Sequence, residues 1–192
     1  MSQSRQFDQL KNIGCNFVKC IREILKEAAI VDVNQLIEEY NRKIEEIVSV
    51  KKEFRKRLKR LYEQGKQFFM HGQIDEAEMF AELYLNVERI ISLLSIYEAK
   101  THYLISTLKG DGPTELGSIC QPLVDYSKFA KYFEALKTKS VLQVVDNAIQ
   151  SRQVSREKMN ILAQLMEYEP FQVKPISAIE IRKVKNKWLK NM

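Results

Sequence analysis

The chain has 192 residues, 45% of them hydrophobic, with six glycines, four prolines and a formal net charge of +6. The apolar fraction is ample for a core, the scarcity of Gly and Pro disfavours an all-β fold, and apolar runs of only a few residues are too short to span a bilayer. Cys15, Cys20 and Cys120 have no framework spacing and read as reduced thiols, and Met1–Arg5 lacks the apolar core of a secretion signal, so a cytoplasmic protein is expected.

Residues 1–32 hold the first pattern. Phe7, Leu10, Ile13, Phe17, Val18, Ile21, Ile24, Leu25 and Ala28 fall on one helical face, with Lys11, Lys19, Arg22 and Lys26 elsewhere. Such a basic amphipathic stripe suits the protein's own core or a membrane interface, into which Phe7 and Phe17 would insert.

The strongest pattern is residues 33–108. Val33, Ile37, Tyr40, Ile44, Ile47, Phe54, Leu58, Leu61 and Phe68 step by four and three, with Lys51 and Gly65 in the two vacant places. That is a heptad seam. Phe80, Leu83, Val87, Ile90, Leu94, Tyr97, Leu104 and Leu108 keep the same rhythm, with Thr101 as the polar member. His71–Asp75 between them is long enough only for a reversal. The spacing therefore predicts two long antiparallel helices, about 34–71 and 74–108. A second stripe on the later helix, Ala77, Ala81, Tyr84, Ile91 and Ile105, needs another cover: a later helix or another molecule.

Charge is distributed in blocks. Lys51, Lys52, Arg55, Lys56, Arg57, Lys59 and Arg60 face only Glu53 within residues 51–60, whereas residues 61–100 carry seven acids against Lys66, Arg89 and Lys100. The basic block suits lipid head groups, nucleic acid or the acidic part of a neighbouring copy; a solvated face that binds nothing is the plain alternative. Aromatics are not interleaved with these cations as a stacking platform requires, which argues against nucleic acid.

Lys109–Pro113 breaks the helical pattern and reads as a hinge, over residues 109–114. Shorter apolar pieces follow over residues 115–167: one ending at Val124 with Pro122 bending or starting a helix, then Phe129–Leu136. Val141, Val144, Val145, Ala148 and Ile149 make another, and a last one, capped by Ser155, carries Met159, Leu162, Leu165 and Met166. Pro170 and Pro175 make residues 168–176 extended. Ser177–Glu180 is a capping box, and Ile181, Val184, Trp188 and Leu189 line one side of a final basic helix within 168–192. This helix suits docking to a partner or packing on its own hairpin. The fold class expected is all-α: a long hairpin with shorter helices along it and a tethered terminal helix.

No catalytic constellation is visible. His71 and His102 lack neighbouring Cys or carboxylate at ligand spacing, and the phosphate-cradling and nucleophile-elbow motifs are missing, so neither enzymatic activity, a metal nor a cofactor is expected.

The order of a basic long helix, a tight turn, a second long helix, a loop, short helices and a tethered terminal helix resembles the ESCRT-III family of membrane-remodelling filament proteins. His71-Gly72-Gln73-Ile74-Asp75-Glu76-Ala77 is similar to the family's hairpin turn. Phe80–Leu83, Val87–Ile91 and Leu104–Leu108 are similar to its second helix, in spacing closest to the archaeal cell-division members. The resemblance covers roughly residues 34–165. It implies a subunit that switches between a closed monomer and an open polymer, assembles with itself and sister subunits on anionic membranes, and meets an AAA ATPase through its C-terminal region. Closure would lay residues 141–166 along the second stripe, joining Tyr84, Ile91 and Ile105 to Val144, Val145 and Ile149. Residues 171–192 are basic where the family's tail is usually acidic, and the terminal helix carries no clear copy of the ATPase-recruiting motif. A non-polymerising helical adaptor with one partner is the rival reading.

Overall fold

A computed structural model describes residues 33–109, 116–138, 140–166 and 175–190, with the side chains of 33, 116–125 and 163–166 left out. All regular structure among these residues is helical: α1 (Val33–Met70), α2 (Ile74–Leu108), α3 (Leu116–Thr138), α4 (Val141–Ser151), α5 (Arg156–Met166) and α6 (Ala178–Lys190). None of the described helices is long and apolar enough to cross a membrane. Contacts divide the chain into two units, Met1–Asn41 and Arg42–Met192. The described part of the first is the opening of α1, with Leu36, Ile37 and Tyr40 half-buried.

The heptad spacing of α1 turns Ile44, Ile47, Phe54, Leu61 and Phe68 inward, and α2 answers with Phe80, Leu83, Val87, Ile90, Leu94, Tyr97 and Leu104. The two helices run antiparallel. Phe68 meets Phe80 with ring centroids 5.2 Å apart, Tyr62 meets Tyr84 at 5.7 Å, and Lys51 meets Glu98 further back. The reversal is built on Gly72, whose φ of +75° suits a residue without Cβ. Gly72 N–H donates to the Phe69 carbonyl at 3.2 Å and Gln73 N–H to the Phe68 carbonyl at 3.0 Å, so the last turn of α1 keeps its acceptors occupied.

α3 packs against α2 at Tyr97 and against α1 at Lys43 and Glu46. Tyr97 of α2 stands among Tyr126, Phe129 and Phe133, at centroid distances of 5.3, 5.8 and 5.8 Å, the middle ring stacked at 10°. Lys43 of α1 bonds Glu134 at 3.5 Å, Lys137 bonds Glu46, and both ammonium groups lie over Phe133. α3 therefore runs in the same direction as α1. Sequence spacing suggests two pieces here, with Pro122 at a bend or a start; the two pieces are one helix, and Pro122 lies inside it rather than at its start. Proline forfeits one backbone hydrogen bond near the start of a long helix, and the buried face of Phe129, Tyr132, Phe133 and Leu136 outweighs that local cost.

α4 continues along α1 toward the reversal, with Val141, Val145 and Ala148 inside. Ser155 caps α5 through Lys158 N–H at 3.2 Å, as its position predicted. The capping box of α6 also forms: Ser177 N–H donates to Glu180 Oε2 at 2.8 Å and Glu180 N–H to Ser177 Oγ at 3.3 Å.

Candidate functional site

Three surfaces follow from this arrangement. The first is the outer face of α1. Lys52, Arg55, Lys56, Lys59 and Arg60 are all exposed and recur at helical intervals, so they share one side of the helix. Lys56 pairs with Glu53 at 2.7 Å, a surface bond between residues three apart, while Lys52, Arg55, Lys59 and Arg60 meet no carboxylate among the described residues. Lys51, grouped with them by sequence, lies elsewhere. It is 7% exposed, fills its heptad place between α1 and α2, and bonds Glu98. A lysine stem occupies a core position while its ammonium finds a carboxylate, which removes it from the outer face. Arg57 also turns away, toward α4.

The second surface is the seat of α4. Arg57 Nε and Nη2 donate to both oxygens of Asp146, at 2.8 and 2.7 Å, and Nη1 donates to Glu53 Oε2 at 2.8 Å. Gln64 Nε2 donates to the Ile149 carbonyl at 2.8 Å, and Arg152 lies over the Phe68 ring at 5.4 Å. Of the residues expected to close onto each other, Ile105 and Val145 are buried, and Tyr84, Ile91, Val144 and Ile149 are half-buried. The polar bonds of α4 run to α1, Tyr84 packs on Tyr62, and α3, α5 and α6 all contact α2. Of residues 141–166, expected along the α2 stripe, α5 contacts α2, while α1 supplies the hydrogen-bond partners of α4. Its anchoring partner, Arg57, looked like one more member of a basic block.

The third is the seat of α6. Arg89 donates to Glu180 at 2.8 Å, and Lys185 to Glu78 at 2.6 Å, so α6 runs antiparallel to α2 and points at the reversal. Its end delivers Trp188, fully buried, against Tyr62 and Phe69 at centroid distances of 6.0 and 5.9 Å. Gly65 makes the space: a Cβ there would stand 2.7 Å from Trp188 Cζ2 and 3.2 Å from Phe80 Cβ. Val184 is buried beside it and Ile181 half-buried. Of the docking candidates, these three are spent on the chain's own hairpin, Leu189 is 52% exposed, and Pro175 is exposed. Periodicity could place these apolar residues on one face but could not say whose surface they meet. The signal available was Gly65, a vacancy in a heptad core flanked by aromatics.

Glu180 shows how firmly the start of α6 is set. The Ser177 backbone N–H, the Ser177 hydroxyl and Arg89 all favour its ionised form and hold its pKa down to about 2. An exposed strip on α2, Ile96, Ala99 and Tyr103, has no cover among the described residues. Phe7, Phe17, Pro170 and most of the 109–114 hinge lie outside the described residues. No group of three His, Cys, Asp or Glu among the described residues could hold a metal ion.

Neither a family model, nor a curated protein, nor a solved structure matches this chain.

Proposed function

We propose that this chain is an ESCRT-III-like, filament-forming subunit that remodels membranes in scission or cell division. The observation that carries the reading is the outer face of α1, five exposed cations on one side of a helix that buries Ile44, Ile47, Phe54, Leu61 and Phe68 on the other. Near an anionic leaflet each such Lys or Arg contributes about 1 kcal/mol, enough together for peripheral binding by an otherwise cytoplasmic protein. Phe7 and Phe17 would add apolar anchoring. The arrangement with α4 and α6 seated on the hairpin supports a closed monomer. Release of these helices would uncover aromatic and aliphatic surface for a neighbouring copy or a sister subunit. An open state that buries similar apolar area would leave a balance of a few kcal/mol for lipid or a partner to reverse. An AAA ATPase that reads the C-terminal helix would need α6 detached, because Val184 and Trp188 are inside.

Vesicle co-sedimentation tests the reading. Binding to anionic vesicles that is lost when Lys52, Arg55, Lys56 and Lys59 become Glu supports it; equal binding to DNA at matched salt would count against it. Electron microscopy of the full chain and of a chain ending at Met166, with and without vesicles, tests polymerisation. The exposed strip of Ile96, Ala99 and Tyr103 favours a second reading, a non-polymerising adaptor whose α2 takes one partner. Uniform single particles under every condition, with vesicles unchanged, would favour that adaptor.

A further inference from the structure

A groove of about 580 Å3 opens where the start of α2 passes α5 and α6. Asp75, Glu78 and Glu82 form its acidic side, and Met79, Met159 and Ile181 line it with apolar surface. Arg156 stands on the opposite rim, and Lys185 takes Glu78 Oε1, leaving the Glu78 side chain 47% exposed. The volume accepts the ends of several long side chains and excludes a whole helix. Methionines suit such a floor, since their unbranched chains adapt to what lies on them.

The spacing identifies an occupant. The three carboxylates sit at steps of three and four along α2. On the outer face of α1, Lys52, Arg55 and Lys59 repeat steps of three and four, and Lys52, Lys56 and Lys59 repeat them in reverse. At 1.5 Å rise per residue each row is about 10 Å long, so one matches the other with the helices running either way. Val48, an exposed apolar residue, lies one turn before Lys52 on the same side and extends the match to the groove's apolar surface.

We propose that this groove receives the basic face of α1 from a second copy of the chain. The groove and the basic face are different patches, so the contact is heterologous and leaves one of each free at the ends of any pair. Copies therefore add head to tail. Exposed ion pairs are individually weak and screened, so the association depends on several acting together and falls as salt rises. It does not require release of α4 or α6, which separates it from the polymer proposed above. It uses the same cations that would meet lipid, so anionic vesicles and a second copy compete for that face.

The test is sedimentation velocity of the full chain without lipid, at low ionic strength over a range of concentrations. The wild type should associate and dissociate as salt is added. Asp75→Lys with Glu82→Lys should be monomeric, as should Lys52→Glu with Lys59→Glu; their equimolar mixture should associate again, because each then offers the other a complementary groove and face. Asp75→Asn with Glu82→Gln, a milder change, should weaken association at least tenfold while keeping the wild-type circular dichroism. A wild type that stays monomeric, groove variants that associate like the wild type, or a mixture that remains monomeric would each overturn the proposal. The lipid reading is judged separately: groove variants that keep vesicle binding while the Lys52/Lys59 variant loses it leave that reading standing whatever happens in solution.

Discussion

Gly65 and Trp188, 123 positions apart in the sequence, fit so closely that a methyl group on the glycine would stand 2.7 and 2.8 Å from two carbons of the indole. Real side-chain contacts do not come that near, so one partner must move. Alanine at position 65 favours α1 by about 1 kcal/mol through helix propensity, which partly offsets the lost packing. Stability alone is therefore a poor readout. Trp188 is the chain's single tryptophan, so its emission reports the seat directly. Gly65→Ala should shift that emission to longer wavelength and raise its quenching by acrylamide; unchanged emission would show that the socket is not as tight as described.

The start of α6 should be sensitive to acid. The folded-state pKa of Glu180 is held down to about 2, against an ordinary value of 4.5. A depressed carboxylate contributes stability that is present above its unfolded pKa and is lost as pH falls through the folded one. Between pH 4.5 and 2 the wild type should progressively lose this contribution, and Trp188 emission should follow. Other carboxylates titrate in the same window, so the comparison is with Glu180→Gln, which should have a less securely seated α6 at neutral pH and a shallower change in acid. Superimposable profiles for the two proteins would refute the assignment.

Arg57 and Asp146 form a two-bond fork in which Arg57 is largely covered. Charge-assisted pairs of this geometry are stronger than ordinary surface bridges. Asp146→Ala should lower stability by about 1–2 kcal/mol in urea unfolding, and Arg57→Lys should recover little of the bond because an ammonium cannot reproduce the fork. Lys56, which bonds Glu53 on the open surface, serves as the control. Lys56→Ala should change stability by no more than about 0.5 kcal/mol.

Lys51 and Glu98 form an ion pair in a seam that is mostly apolar. Removing one partner leaves a charge in a poorly hydrated place, so Glu98→Ala should destabilise by about 2–3 kcal/mol. Replacing both, as Lys51→Met with Glu98→Leu, should be neutral or stabilising. A double variant no better than Glu98→Ala would mean that the pair contributes more than it costs to bury.

Much of the architecture is legible in spacing. The seams of α1 and α2 appear as steps of three and four because both helices bury one stripe along most of their length, and the caps at Ser155 and Ser177 are local chemistry. What spacing hides is the choice of surface. Arg57 and Lys51 belong by composition to the cationic run, yet one reaches across to α4 and the other enters the seam; their neighbours Lys52 and Lys59 stay outside. A shift of one position along a helix turns a side chain by about 100°, so charge density by itself cannot separate these fates. Pro122 misled in the opposite sense, because a local breaker was overridden by the buried aromatic face that follows it. The socket for Trp188 needed the tertiary fold, since Gly65 and Trp188 lie far apart in the chain.

The long reach of those contacts sets an order of assembly. Lys185 bonds a residue 107 positions earlier, and the bonds of α3 and α4 to α1 span 85 to 91, whereas the reversal at Gly72 joins α1 to α2 over a few residues. Closing the short loop costs far less chain entropy than closing the long ones, so the hairpin is the natural nucleus. Translation enforces the same order. During synthesis Tyr62, Phe69 and Phe80 precede Trp188, which packs on Tyr62 and Phe69, by more than 100 positions. A hairpin formed first holds its aromatic socket vacant until α6 arrives, and over that interval the tryptophan of another copy could enter it.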